Sequence, residues 1–224
     1  DLAELMKELL GLPGEFRLRF SSLEPGEVSR RLAGVLKAGG DRFCGYFHLP
    51  LQSGSDEVLR AMGRPYGTAA YLGKLRLLRE YFEDPGLYAD VIAGYPTETD
   101  AQFERTLAFI RECRLAGLHV FRFSARPGTR AALLKPLPRR TVDDRAAALR
   151  GLDSGLRAAY AASMTGRVLS VLTLRVRDGA ALGLAPNFLQ VSFKGGGRPG
   201  SIAAVRVNGV IPGRGGCVCA GEAL

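Results

Sequence analysis

The stretch His48-Leu49-Pro50-Leu51-Gln52-Ser53-Gly54-Ser55-Asp56 decides the fold. It is an apolar run that ends abruptly in small polar residues. It reads as a buried strand, a sharp turn at Gly54 and the start of a helix. Ser53 or Ser55 is placed to cap that helix, and Ser53-x-x-Asp56 has capping-box spacing. Polar groups at the carboxyl end of a strand, beside the free N–H donors of a helix N-terminus, form a place to hold a ligand.

The same layout recurs on both sides. Residues 1–10 read as the end of a helix with Leu2, Leu5, Leu9 and Leu10 on one side, broken by Gly11 to Gly14. Phe16 to Leu23 reads as a strand leaving through Ser21-Ser22-Leu23-Glu24-Pro25, followed by a helix to about Lys37. Gly45 to Leu51 is the second strand. A further helix ends near Phe82, with Leu72, Leu75, Leu78 and Phe82 on one face. Tyr88 to Ala93 is the third strand, leaving through Gly94-Tyr95-Pro96. Thr99-x-x-Gln102 has capping-box spacing ahead of Phe103, Leu107 and Ile110, which keep helical period. Leu118 to Phe123 is the fourth strand, leaving through Ser124-Ala125-Arg126-Pro127-Gly128-Thr129.

Strand–helix alternation of this kind predicts an α/β fold with a parallel sheet and right-handed crossovers. Each strand ends in a polar or glycine-bearing loop, which suits a barrel whose working face is the carboxyl end. Four strands cannot close a (β/α) barrel. Either the sheet is open or the opening strands are missing, and the start at Asp1 leads us to expect an excised or incomplete piece. Residues 141–164 read as a long helix, with Leu149, Leu152, Leu156 and Tyr160 in one stripe and Gly166 at its end. Beyond it the pattern changes. Val168 to Val176, Phe188 to Phe193, Ile202 to Val210 and Gly216 to Ala220 are short β-rich segments between glycine-rich turns, which predicts a small all-β barrel. The expected division is residues 1–166 and 167–224.

The 224 residues carry a formal net charge of +9, and the charge is unevenly placed. From Arg167 onward seven Lys/Arg (Arg214 among them) face only Asp178 and Glu222, which puts +5 of the +9 on the last quarter. Such a tail suits either a polyanion partner or a merely solvated basic face. No apolar stretch is long enough for a membrane span, and the absence of a basic-then-apolar opening leads us to expect no secretory leader. Cys44, Cys113, Cys217 and Cys219 make no disulfide framework, so a reducing, cytoplasmic setting is expected. His48 and His119 read as packed histidines. No His/Cys cluster has zinc spacing and no Ser–His–Asp arrangement is visible, so no metal site and no catalytic residue is assigned.

Four motifs in order carry a resemblance. They are residues 48–56, Met62-Gly63-Arg64-Pro65-Tyr66, Asp90-Val91-Ile92-Ala93-Gly94-Tyr95-Pro96-Thr97-Glu98-Thr99, and Phe123 to Thr129. Together they resemble the radical S-adenosylmethionine methylthiotransferases. The tail, particularly Gly183-Leu184-Ala185-Pro186-Asn187-Phe188, looks like the TRAM domain of these enzymes, a small RNA-binding barrel. The resemblance therefore implies the later part of a partial (β/α) TIM-like radical SAM barrel followed by a TRAM-like module. Arg17-Leu18-Arg19-Phe20-Ser21-Ser22-Leu23-Glu24-Pro25 is similar to the branch that modifies threonylcarbamoyladenosine beside the tRNA anticodon. The alternatives are isopentenyladenosine in tRNA, a ribosomal-protein aspartate, or a non-catalytic RNA-binding remnant. The chain departs from the family in carrying Thr97 where Gly is usual and in lacking the CxxxCxxC motif. Cys217-x-Cys219 has the wrong spacing, so the [4Fe–4S] ligands are expected outside this chain.

The resemblance implies roles for particular residues. Gln52, Ser53, Gly54 and Ser55 would meet the cofactor, S-adenosylmethionine, and Arg64 would pair with its carboxylate. Gly94 would let the backbone approach the adenine, and Glu98 would contact the cofactor or cap the next helix. Asp90 would serve as a structural acid paired with an arginine or as a ligand. Ser124 and Arg126 would face the substrate, the tRNA anticodon loop. In the tail, Arg167, Lys194, Arg198 and Arg206 are the candidate phosphate contacts, while Phe188 reads as core before stacking platform. A reducing partner such as flavodoxin or ferredoxin would serve the intact enzyme, with no membrane.

Overall fold

A computed structural model describes residues 1–213 and 216–224; Arg214 of the basic tail lies outside the described residues. Helix α1 (Leu2–Gly11) starts at Asp1, whose carboxylate accepts from the Glu4 N–H. Helix α2 (Arg30–Ala38) is capped by the Ser29 hydroxyl. Then come β1 (Tyr46–His48), α3 (Asp56–Ala61), α4 (Thr68–Tyr81) and β2 (Gly86–Ala93). Helix α5 (Asp100–Cys113) carries the full capping box between Thr99 and Gln102 that the spacing predicts. β3 (Gly117–Arg122) and the long α6 (Arg139–Ser163) complete this part.

β1, β2 and β3 form a parallel sheet in that order, with Asp90 opposite His119 and His48 opposite Tyr88. Alternation along the strands sends Phe47, Leu87, Ala89 and Val91 toward the helices, where they join Leu75, Leu78, Ile110 and Leu149 in one core. Each large side chain buried there contributes about 1.5–3 kcal/mol. The other face carries Tyr46, His48, Tyr88, Asp90 and His119.

The sheet has three strands where the pattern predicts four. Residues 16–23 run beside β1 but, among the described residues, make only one bridge, Leu18 to Phe43, and one further backbone–backbone hydrogen bond to it, from Leu23 N–H to the His48 carbonyl. The ladder fails because a tight turn at Gly45, closed by Tyr46 N–H on the Cys44 carbonyl at 2.7 Å, swings the partner strand aside. Arg19 then projects across the end of the sheet onto the rings of Phe188 and Tyr46.

Five antiparallel and parallel strands close the second unit: β4 (Val168–Arg177), β5 (Ala180–Leu184), β6 (Gln190–Lys194), β7 (Ile202–Gly213) and β8 (Gly216–Ala223), ordered β4-β5-β6-β8-β7. The pattern missed β5, whose Ala-Ala-Leu-Gly-Leu composition carries little β signal. Val171, Val191, Phe193, Val205 and Cys219 fill the barrel. Helix α6 joins the two units: Ala146 and Leu149 enter the first core, Ala161 and Met164 the second.

The barrel docks beneath the N-terminal ends of the parallel strands. Phe188 stacks on Tyr46 at 4.5 Å between centroids. Tyr160 donates to the Asp84 carbonyl, Arg17 donates to Ser170, and Arg167 pairs with Glu83 and Asp84. Gly86 approaches so closely that an added Cβ would lie 2.2 Å from the Asn187 carbonyl oxygen. No described helix is long and apolar enough to cross a membrane.

Candidate functional site

The carboxyl ends of the three strands converge on one cavity of about 630 Å³. Gln52 enters it from the end of the β1 segment. Its backbone N–H donates to the Asp90 carbonyl at 2.8 Å and its carbonyl accepts from Ile92, locking it to β2. It holds φ +71°. That left-handed conformation costs a non-glycine residue about 1–2 kcal/mol and is retained only where the surroundings enforce it. Arg64 arrives from the end of α3. Gly63 turns left-handed there (φ +73°), and the N–H groups of Gly63 and Arg64 return to the carbonyls of Arg60 and Leu59. This glycine-capped stop aims Arg64 into the cavity, 3.7 Å from Glu24. Ser124 and Arg126 come from the loop after β3, which folds back where the Thr129 N–H and hydroxyl both donate to the Arg126 carbonyl.

Gln52, Arg64, Ser124 and Arg126 therefore share one cavity. Sequence reasoning missed other lining residues: Arg60, Arg122 and Arg130, and the rings of Tyr95, Phe121 and Phe123. Their signal was position, since each lies at the end of a strand, in the loop after it or at the helix end beside Arg64. Five arginines line the space against a single carboxylate, Asp90. Arg122 is held by Asp143 at 2.8 Å. The arrangement suits a planar ligand with a carboxylate or phosphate, held by guanidinium groups between aromatic walls.

Several expected ligand residues turn elsewhere. Ser53 is fully buried, 3.2 Å from the Thr106 hydroxyl, and accepts from the Ser55 N–H. Gly54 lies against α5, where a Cβ would meet the Thr106 backbone at 2.7 Å. Ser55 occupies the N-cap position of α3 without capping it and donates instead to Glu57 at 2.6 Å. The predicted Ser53–Asp56 capping box does not form, because Thr106 of α5 claims Ser53. Asp56 instead accepts from the Thr68 N–H and caps α4.

Gly94 has φ +81°, and the space beside its Cα is filled by Val142 of α6, not open to an adenine. Glu98 is 3% exposed and pairs at 2.8 Å with Arg145, itself 5% exposed. Burial pushes the Glu98 pKa up, against the pull of Arg145 and of the Gly94 N–H. This pair fixes the loop from Gly94 to Asp100 rather than facing the cavity. Arg145 also donates to the Glu98 carbonyl and to Asp100.

Among the described residues Asp90 has no arginine partner. His48 Nε2 lies 2.7 Å and His119 Nδ1 3.4 Å from the same oxygen, Oδ1. Burial works to raise the Asp90 pKa, but the hydrogen bonds from His119 and His48 outweigh it and hold the carboxyl well below its usual range.

On the barrel, Lys194, Arg198 and Arg206 are exposed, whereas Arg167 is engaged with Glu83 and Asp84 and serves the interface between the units. The cysteines do not fit an iron–sulfur cluster. Cys44, Cys113 and Cys219 are buried in separate places, and the only three potential metal ligands gathered among the described residues are His48, Asp90 and His119.

Comparisons with known proteins follow the same lines. The Radical SAM superfamily profile matches residues 1–110. The threonylcarbamoyladenosine tRNA methylthiotransferase MtaB of Thermotoga maritima is 33% identical over 209 residues, covering 92% of this chain and 48% of that protein. The tRNA-2-methylthio-N(6)-dimethylallyladenosine synthase of Cereibacter sphaeroides is 36% identical over 211 residues, with the same coverage of both. The chain thus spans about half the length of these curated relatives. Among solved structures, the coproporphyrinogen III oxidase of Escherichia coli, a radical SAM enzyme, superposes with a TM-score of 0.55 at 21% identity, over 69% of this chain and 36% of that one.

Proposed function

The chain belongs to the radical SAM superfamily, and from that premise we propose that it is the carboxyl-terminal portion of a tRNA methylthiotransferase acting on N6-threonylcarbamoyladenosine. The observation that carries the reading is the single cavity where Gln52, Arg64, Ser124 and Arg126 meet from two strand ends and the end of a helix. Its volume suits a nucleoside-sized ligand.

In this reading the aromatic walls bracket a purine, and Gln52 and Arg64 hold the polar end of S-adenosylmethionine, with Arg64 taking the carboxylate. When bound, S-adenosylmethionine supplies the methyl group and, with reduced clusters held outside this chain, the radical. This chain's own residues bind, orient and exclude water; its cysteines do not serve as cluster ligands, so the piece is inactive alone. A reductant of the flavodoxin or ferredoxin class serves the intact enzyme. The barrel acts as the TRAM-like RNA-binding module, with Lys194, Arg198 and Arg206 contacting phosphates in a cytoplasmic setting.

Two features favour threonylcarbamoyladenosine over dimethylallyladenosine. The arginine-rich lining matches the carboxylate on the threonylcarbamoyl group, where a dimethylallyl group would need apolar wall. The branch-like stretch 17–25 ends at Glu24 and Pro25, which share a second cavity with Arg64. The test is mass spectrometry of tRNA nucleosides from cells lacking the complete gene. We expect loss of the methylthio group from threonylcarbamoyladenosine alone. Loss from dimethylallyladenosine moves the protein to the other branch, and unchanged tRNA removes the tRNA assignment.

A further inference from the structure

We propose that His48, Asp90 and His119 form a binding site for one divalent transition-metal ion on the inner face of the parallel sheet. The proposal stands apart from the methylthiotransferase reading and uses none of the cluster chemistry. The three residues come from β1 and β2, and from β3, where His119 is in register with Asp90. All three point to the same side, away from the helices. Their ligand atoms lie within 4.8 Å of one another, and both imidazoles address a single carboxylate oxygen.

The hydrogen-bond geometry leaves room for a cation at that point. His48 Nδ1 faces the Ser21 carbonyl at 3.3 Å, and that acceptor requires an N–H there. With that tautomer His48 Nε2 faces the Asp90 oxygen at 2.7 Å, and either a second ring proton or a metal ion serves that contact. A proton would satisfy that one contact. The same oxygen also faces His119 Nδ1, whose ring sits edge-on to His48 at 4.7 Å. A metal ion bonds all three at once.

The dimensions are close to what it needs. Zinc–nitrogen and zinc–oxygen bonds of about 2.1 Å set neighbouring tetrahedral donors about 3.4 Å apart. The Asp90–His119 separation already equals that value, and the Asp90–His48 contact opens to it as the ion replaces the shared proton. The backbone carbonyl of Ser21 on the distal ring nitrogen of His48 is the outer partner that metal-ligating histidines usually have. Asp90 also lines the large cavity, so a coordination position not filled by protein opens toward it. Two histidines and one carboxylate suit Zn²⁺, Co²⁺ or Fe²⁺, not Mg²⁺ or Ca²⁺.

The test is titration of the purified 224-residue chain with Co²⁺, read by visible absorption and by calorimetry. We expect one equivalent bound, d–d bands of a nitrogen- and oxygen-ligated ion without a thiolate charge-transfer band, and displacement by Zn²⁺. Asp90→Asn and His119→Gln should each weaken binding at least tenfold while circular dichroism stays unchanged. His119 is 42% exposed, so its substitution leaves the fold intact should Asp90→Asn disturb it. Absence of saturable binding, a thiolate band, or full affinity in folded His119→Gln overturns the site.

Discussion

In the parallel sheet, the outer edge of β3 is held by side chains of α6: Asp153 accepts from the Leu118 N–H at 2.6 Å, and Arg157 donates to the Leu118 carbonyl at 2.9 Å. The edge of β1 is covered only by scattered bonds from residues 18 and 23. In the barrel every strand has two neighbours. Closure abolishes edges, so backbone groups are satisfied within the ladder and side chains are free to be solvated or basic. The open sheet recruits half-buried ions of α6 to finish its bonding. The same recruitment leaves polar groups and arginines at the strand ends, where a ligand can use them. Chemistry concentrates in the unit that could not complete its own hydrogen bonds.

The sharpest way to break this contrast is to remove the most deeply buried ion pair of that unit, the one that holds the loop after β2. Arg145→Ala leaves Glu98 buried without its partner and should cost about 3–5 kcal/mol in denaturant unfolding. A loss below 1 kcal/mol would make the open sheet as self-sufficient as the barrel.

Thiol chemistry compares the two units directly. Burial pushes Cys113, in α5, up to about 12 and Cys219, in the barrel, up to about 11. At pH 8 alkylation of native Cys113 should be about a thousandfold slower than of the unfolded thiol, and of Cys219 about a hundredfold slower. The folded chain holds these protons where the unfolded chain releases them. Stability should therefore fall as pH rises from the unfolded value near 9 toward the folded values. Equal, fast labelling of both would show that neither core excludes water.

The seam between the units is tested by Gly86→Ala. Its Cβ would overlap the Asn187 carbonyl, a backbone atom that cannot rotate away. We expect a loss of about 1–3 kcal/mol and weaker magnetisation transfer between Phe188 and Tyr46. An unchanged melting temperature would mean that the seam yields freely.

The smallest stability effect belongs to the barrel cations. Lys194→Ala and Arg206→Ala should each change stability by less than about 0.5 kcal/mol. Both residues lie opposite Glu222 in the register. If they touch phosphates, each should lower the salt slope of tRNA binding by about one. Identical slopes would leave them as solvated surface.

How far the sequence could be read follows from how local each signal is. The α5 capping box was legible because its two partners lie three residues apart. The meeting of Gln52, Arg64, Ser124 and Arg126 was legible because parallel strands must send their exit loops to one end. Ser53 and Ser55 also looked like a local cap, but Thr106, more than fifty residues away, outcompeted the helix for Ser53. The partners of Asp90 were hidden for the same reason. Its charge invited an arginine, while register across the sheet supplied two histidines. The strand expected over residues 16–23 had the right alternation, yet its neighbour turns away at Gly45.

The Asn187–Phe188 corner wedged under Tyr46 and Gly86 has a metric consequence. It pins the basic barrel to one end of β2 while the arginine-lined cavity opens at the other. Eight residues of extended chain set these two places roughly 25 Å apart. A ligand that engages both places must span that distance, which a lone nucleoside does not.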